Sequence, residues 1–185
     1  MILEAIILGI LQGILEWLPI SSRGNLVLIM IYFFELEAEQ ALNYSIFLHI
    51  GTLLAAATYF RKEISALFKV LPSYRFNYST KENRLISFLL LTTILTGALG
   101  YLLLRLTQEI AIASGEILIA IIGVALIING LVQRFSQTQG SREPTSLNLK
   151  DTLILGFAQA FSAIPGVSRS GITTSSLIFR KFDGE

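Results

Sequence analysis

Glu16, Ser22 and Arg169 are the side chains whose type and setting point to chemistry, each lying beside or within a strongly apolar stretch. A carboxylate in so apolar a segment is costly unless it is paired or used. Gln12 stands four residues before Glu16, on the same helical face. After Pro19 come Ser21, Ser22, Arg23 and Gly24, and a short apolar segment opens at Asn25. Backbone N–H groups at the start of such a segment form an anion cradle, with the glycine permitting the tight turn. Ser168, Arg169, Ser170 and Gly171 follow Pro165-Gly166 in the same pattern. Each serine-rich turn taken singly reads equally as a helix cap. If the two turns meet, two positive helix ends would converge with Arg169, and with Arg23 as a further candidate, into a phosphate site. A serine hydroxyl needs a base to become a nucleophile, and Glu16 lies within two turns of Ser22. His49 reads equally as a group lining the same cavity or as a packing hydrogen-bond donor.

These turns need elements that hold them at depth, and the composition says what surrounds those elements. The 185 residues are 53% hydrophobic and 15% charged, whereas soluble domains carry roughly 25% charged residues. The expected class is an all-α integral membrane protein. A net charge of +1 leaves a nucleic-acid partner no electrostatic footprint, and the absence of cysteine excludes disulfides and thiolate metal sites. The N-terminus lacks the basic stretch of a signal peptide, so the first apolar segment is read as part of the mature protein.

Leu85–Leu104 is an uncharged run of twenty residues, enough to cross about 30 Å of hydrocarbon. A capping box of Ser79 and Glu82 is expected to start it. Residues 41–60 and 110–132 are read as two further transmembrane helices. Residues 1–34 and 151–185 behave differently, because a polar turn breaks each into pieces about half a bilayer long. Irregular polar backbone at membrane depth is tolerated only inside protein or beside a water-filled cavity. Both segments are therefore expected to be re-entrant helix-loop-helix hairpins.

Lys and Arg gather between Arg61 and Arg84 (six) and between Arg134 and Lys150 (three), against one in the first forty residues and one in the loop expected at Arg105. The positive-inside rule then makes residues 135–150 a cytoplasmic linker, with the first hairpin on the outer face and the second on the inner. A shift of 147 residues superposes Gln12 on Gln159, Ser21 on Ser168 and Gly24 on Gly171. Residues 1–134 thus read as a first repeat and 151–185 as the start of a second of inverted topology, with a binding site where they meet. Gly9 with Gly13, and Gly156 with Ala160, are spaced to let helices pack closely. Symmetry predicts roughly another hundred residues beyond Glu185.

The string Gln12-Gly13-Ile14-Leu15-Glu16-Trp17-Leu18-Pro19-Ile20-Ser21-Ser22-Arg23-Gly24 resembles the first signature of the undecaprenyl-diphosphate phosphatase (bacitracin-resistance) family, and Pro165-Gly166-Val167-Ser168-Arg169-Ser170-Gly171 its second. The resemblance extends over the whole chain and includes His49-Ile50-Gly51-Thr52. It implies a multi-pass plasma-membrane enzyme that hydrolyses a polyprenyl diphosphate lipid to the monophosphate and phosphate, recycling the carrier for cell-envelope polymers. It further implies Ser22 as nucleophile or its neighbour, Glu16 as activating carboxylate and Arg169 as phosphoryl clamp. Ser21, Arg23, Gly24, Asn25, Ser168, Ser170 and Gly171 would bind phosphate, and Gln12, His49 and Gln159 are secondary candidates. Mg²⁺ or Ca²⁺ bridging Glu16 and the diphosphate is implied by the same likeness, and a homodimer is carried as a further partner. Two departures stand out: Gln12 where many members have Glu, and Asn25 where they have His. Neither amide can shuttle a proton at neutral pH. The competing readings are a transporter or flippase of an anionic lipid phosphate and a catalytically silent scaffold.

Overall fold

The structure, a computed structural model, describes residues 2–76, 80–136 and 140–183. The described residues form helices α1 (Ile2–Leu15), α2 (Ser22–Phe34), α3 (Ala38–Tyr59), α4 (Arg61–Val70), α5 (Lys81–Ala113), α6 (Gly115–Phe135), α7 (Leu149–Ala160) and α8 (Arg169–Phe179). Among these, α3, α5 and α6 are long and apolar enough to cross a membrane. Large side chains such as Phe33, Leu53, Ile94 and Ile127 lie exposed on the outside, an arrangement suited to lipid and costly in water. The protein is an all-helical membrane protein.

The boundaries differ from expectation at three places. No turn occurs at Arg105, since α5 continues to Ala113 and reaches about 50 Å at 1.5 Å per residue. The polar residues there are carried on helix: Arg105 Nε donates to the Tyr101 hydroxyl at 3.0 Å and the Thr107 hydroxyl to the Leu103 carbonyl at 2.7 Å. The break falls at Ser114, extended at φ −161°, whose hydroxyl accepts from Ile117 N and so starts α6. Ser79 lies outside the described residues; the cap of α5 is Thr80, accepting from Asn83 N. The basic stretch after α3 forms the additional helix α4, none of whose residues is buried.

The core centres on α2, whose Leu26, Val27 and Met30 are fully buried against Leu8, Leu42, Leu118 and Ile122. α1 runs parallel to α3, with Leu8 beside Leu48 and the Gln12 amide 3.5 Å from the Thr52 hydroxyl. α7 runs parallel to α5: the Thr96 hydroxyl donates to the Gly156 carbonyl at 3.2 Å, and Gly100 faces Ala160 and Ala163. Gly156 is tight, since a Cβ there would stand 3.0 Å from Leu95. Gly9 and Gly13 have no neighbour within 4 Å, so close packing rests on the α7 glycine alone of these three. Both helix pairs fold back on themselves, and their turns meet beside the middle of α3 and α5.

The open end of the α7–α8 pair is stapled by one carboxylate. Asp151, 2% exposed, accepts from Arg142 Nη2 and Arg180 Nε, both at 2.7 Å, and completes a capping box with Asn148. Arg142 also lies 4.1 Å over the Phe182 ring. Burial pushes the Asp151 carboxyl up, but hydrogen bonds from Arg142 and Arg180 outweigh it and hold the group below its ordinary 3.8. The depressed folded value means this stabilisation is complete above pH 3.8 and fades as pH falls toward the lower folded value. Asp151→Ala should cost about 2–3 kcal/mol, somewhat less than a fully buried pair because the arginines reach solvent. The check is thermal unfolding in detergent, where the difference from wild type should vanish in strong acid.

Candidate functional site at the meeting of two turns

Both turns are built alike. Ser21 precedes α2, and its hydroxyl accepts from Gly24 N at 3.2 Å; Ser168 precedes α8 and accepts from Gly171 N at 3.1 Å. Each satisfies an N–H that the first helical turn leaves without a partner. The Ser21 hydroxyl also accepts from Gly166 N at 3.0 Å, and Arg23 Nη1 donates to the Ala163 carbonyl at 2.8 Å, so the turns are tied directly to one another. Two glycines make that approach possible. Gly166 sits at φ +104°, a left-handed conformation that side chains rarely adopt. A Cβ on Gly24 would stand 2.7 Å from the Gly166 nitrogen.

A small cavity opens where the turns meet, with Glu16, Ser22, Arg23 and His49 on one side and Ser168, Arg169 and Ser170 on the other. The Ser22 hydroxyl donates to Glu16 Oε2 at 2.6 Å, and Gln12 Nε2 donates to the same oxygen at 3.0 Å. His49 Nε2 lies 3.3 Å from that oxygen and 3.5 Å from the Ser22 hydroxyl. His49 Nδ1 is 2.6 Å from the Ser45 carbonyl. A serine hydroxyl, a carboxylate, an imidazole and two guanidiniums thus share a volume flanked by the N-termini of α2 and α8. That set can bind a phosphate and attack it. A larger groove of about 560 Å³ continues from the cavity along Ile46, Ile50, Leu53 and Ala56 of α3.

Residues 5–185 match the family model described as "Bacitracin resistance protein BacA". The chain belongs to the BacA family. It is 49% identical to the undecaprenyl-diphosphatase of Methanococcoides burtonii, over 97% of this chain and 68% of that protein. It is 39% identical to the Saccharolobus islandicus protein of the same name, over 96% of this chain and 63% of the relative. For the Haloarcula marismortui protein, also so named, the figures are 33%, 100% and 68%. The chain therefore spans about two thirds of the length of the relatives it matches.

Within this BacA family chain the structure separates the expected site residues into groups. Glu16, Ser21, Ser22, Arg23, Ser168, Arg169 and Ser170 line the cavity. Asn25 does not: its amide donates to the Ser21 carbonyl at 2.8 Å and braces the turn. Gly24 and Gly171 are also behind the cavity, their α-carbons packed against Gly166 and against Asn129 and Gln133. Gln12 is 1% exposed and stands behind Glu16 as its support. Gln159, its counterpart in α7, is not in the lining. His49, ambiguous from sequence, lies beside both Glu16 and Ser22. Ser162 lines the cavity without having been singled out, because it lies in a single 3₁₀ turn that no capping pattern marks.

Ca²⁺ takes six to eight oxygens, and Mg²⁺ usually one or two carboxylates besides phosphate. Among the described residues no group of three or more His, Cys, Asp or Glu is placed to hold a metal. Glu16 is the one carboxylate at the cavity, its Oε2 already accepts twice, and Arg23 and Arg169 share the space. The described residues offer no cage of protein ligands alone; Glu16 is the one carboxylate at the cavity that would share a divalent ion with a bound diphosphate.

Proposed function

We propose that this chain carries the reacting centre of a membrane phosphatase that removes the terminal phosphate of a polyprenyl diphosphate such as undecaprenyl diphosphate, regenerating a lipid carrier for cell-envelope synthesis. The observation that carries this reading is the Ser22 hydroxyl held 2.6 Å from Glu16 in a cavity shared with Arg23 and Arg169, in a chain whose relatives are named undecaprenyl-diphosphatase. Phosphoryl transfer depends chiefly on positioning and on neutralising charge at the equatorial oxygens. Arg169 and Arg23 supply that neutralisation, and the first-turn N–H groups of α2 and α8 add their partial charge. Glu16, supported by Gln12, fixes the direction of the Ser22 hydroxyl. Ser22 Oγ attacks the terminal phosphorus and the bridging oxygen departs with the polyprenyl monophosphate. The apolar groove beside the cavity suits the first isoprene units of such a lipid.

The reading includes a multi-pass chain in the plasma membrane, with two re-entrant hairpins of inverted topology. Its supports are geometric. Asp151 at the start of α7 contacts Arg180 just past α8, so that pair returns to its point of departure. α7 and α8, with twelve and eleven residues, each span only about 17–18 Å. α1 lies parallel to α3 and α7 parallel to α5, two consecutive spans running in opposite directions. The test uses purified full-length protein in detergent or liposomes with a polyprenyl diphosphate. Phosphate should be released with one monophosphate lipid formed per event. Movement of the lipid between leaflets with no phosphate released would overturn the reading in favour of transport.

A further inference from the structure

Gln12 and Asn25 are amides that shuttle no proton at neutral pH, and the structure commits both to holding other groups. The reaction still needs somewhere to put the Ser22 proton. Glu16 is poorly suited, because it already accepts hydrogen bonds from Ser22 and Gln12 that stabilise it as the anion. We propose that His49, the single histidine among the 185 residues, is the catalytic proton carrier of this site, receiving the Ser22 proton at Nε2 and returning it in the second half of the reaction. The inference rests on the phosphatase reading above.

The geometry assigns the nitrogens. A carbonyl oxygen only accepts, so the 2.6 Å contact with the Ser45 carbonyl places a proton on Nδ1. Nε2 is then left to face Ser22 at 3.5 Å and Glu16 at 3.3 Å. Both protonation states find a partner there. The neutral ring turns a lone pair toward the Ser22 oxygen, whose proton reaches it when the hydroxyl rotates from Glu16, and the charged ring presents an N–H to the Glu16 carboxylate. Ser45 is fully buried in α3, so the carbonyl anchor is shielded from competing water. The charged groups facing His49 are Glu16 after α1, Arg23 on α2 and Arg169 on α8, while α5 and α6 place no residue in either cavity that His49 lines.

As Ser22 Oγ bonds to phosphorus, its proton passes to Nε2; the P–O bond to the bridging oxygen breaks, and that oxygen leaves with the electron pair and takes the proton from the imidazolium. Neutral His49 then accepts a proton from the water that attacks the phosphoserine, and hands it to Ser22 Oγ as that bond breaks. One diphosphate and one water become one monophosphate lipid and one phosphate.

The experiment compares full-length wild type with His49→Gln, using a polyprenyl diphosphate across pH 5 to 8.5. General acid–base catalysis of this kind is worth about 10²–10⁴-fold, so kcat should fall by that factor with KM changed by less than about threefold. The wild-type pH–rate profile should carry a component beyond that of the substrate phosphate, whose second pKa lies near 6, and the variant should lose that component. A variant within tenfold of wild type, or one slower but with an unchanged pH profile, would overturn the proposal. Should His49→Gln fold poorly, ring-¹⁵N histidine in the wild type decides: the neutral ring must carry its proton on Nδ1, and the Nε2-protonated tautomer would sink the idea. Absence of phosphate release from the wild type is a separate result, counting against the phosphatase reading itself.

Discussion

Arg169→Ala in the full-length protein should lower phosphate release by about a thousandfold or more, the scale on which an arginine acting on a transferring phosphoryl group operates. The reason lies in how the two cavity arginines are held. Arg23 is tied by Nη1 to the Ala163 carbonyl and joins the two turns, whereas Arg169 is exposed at the mouth, on the first residue of α8. Arg23 therefore cannot swing across to replace its counterpart without releasing the turn it braces. Arg169→Lys should recover only part of the loss, because a point charge lacks the planar fork that meets two phosphoryl oxygens at once. The loss should appear in kcat more than in KM, as expected when the interaction strengthens in the transition state. Ser22→Ala should fall at least as far. A rate within tenfold of wild type for either variant would remove that residue from the chemistry.

Gly24→Ala should damage both stability and activity, although it adds a single methyl group. The added carbon would meet the nitrogen and α-carbon of Gly166 at 2.7 and 2.8 Å, and these are backbone atoms that cannot rotate away. The turns would have to separate, at a cost of about 1–3 kcal/mol in stability. Activity should suffer further, since a displacement of about 1 Å across a reacting centre costs about a hundredfold. Gly9→Ala is the internal comparison: its position is open, and replacing a helical glycine there should leave stability unchanged or raise it by up to about 1 kcal/mol. Equal behaviour of the two variants in activity and thermal unfolding would mean that the contact between the turns does not hold the site together.

What could be read in advance follows from how local each signal is. The apolar lengths of α3, α5 and α6 are properties of the chain alone, and so are the serine caps at Ser21 and Ser168, which need only a backbone N–H three residues on. Gln12 and Glu16 share a face because helical spacing puts them there. The break at Ser114 was hidden because the apolar sequence resumes at once, whereas Arg105 mimicked a loop by its charge while remaining on helix. The part taken by His49 depends on where α3 passes relative to the first turn, which no spacing in the sequence encodes. The same holds for the Ser21 hydroxyl, whose second donor lies 145 residues away. Asn25 looked like a ligand by its place after Gly24, yet a short amide next to a cap bonds readily to nearby backbone.

That hydroxyl has a further meaning for how the molecule comes apart. One oxygen serves two N–H groups, one in its own helix and one in the distant turn. Any movement that pulls Gly166 away disturbs the geometry that starts α2, and fraying of α2 loosens the grip on Gly166. Melting of one small region and loss of the other should therefore be a single cooperative event, and amide exchange at Gly24 and Gly166 should proceed at matching rates.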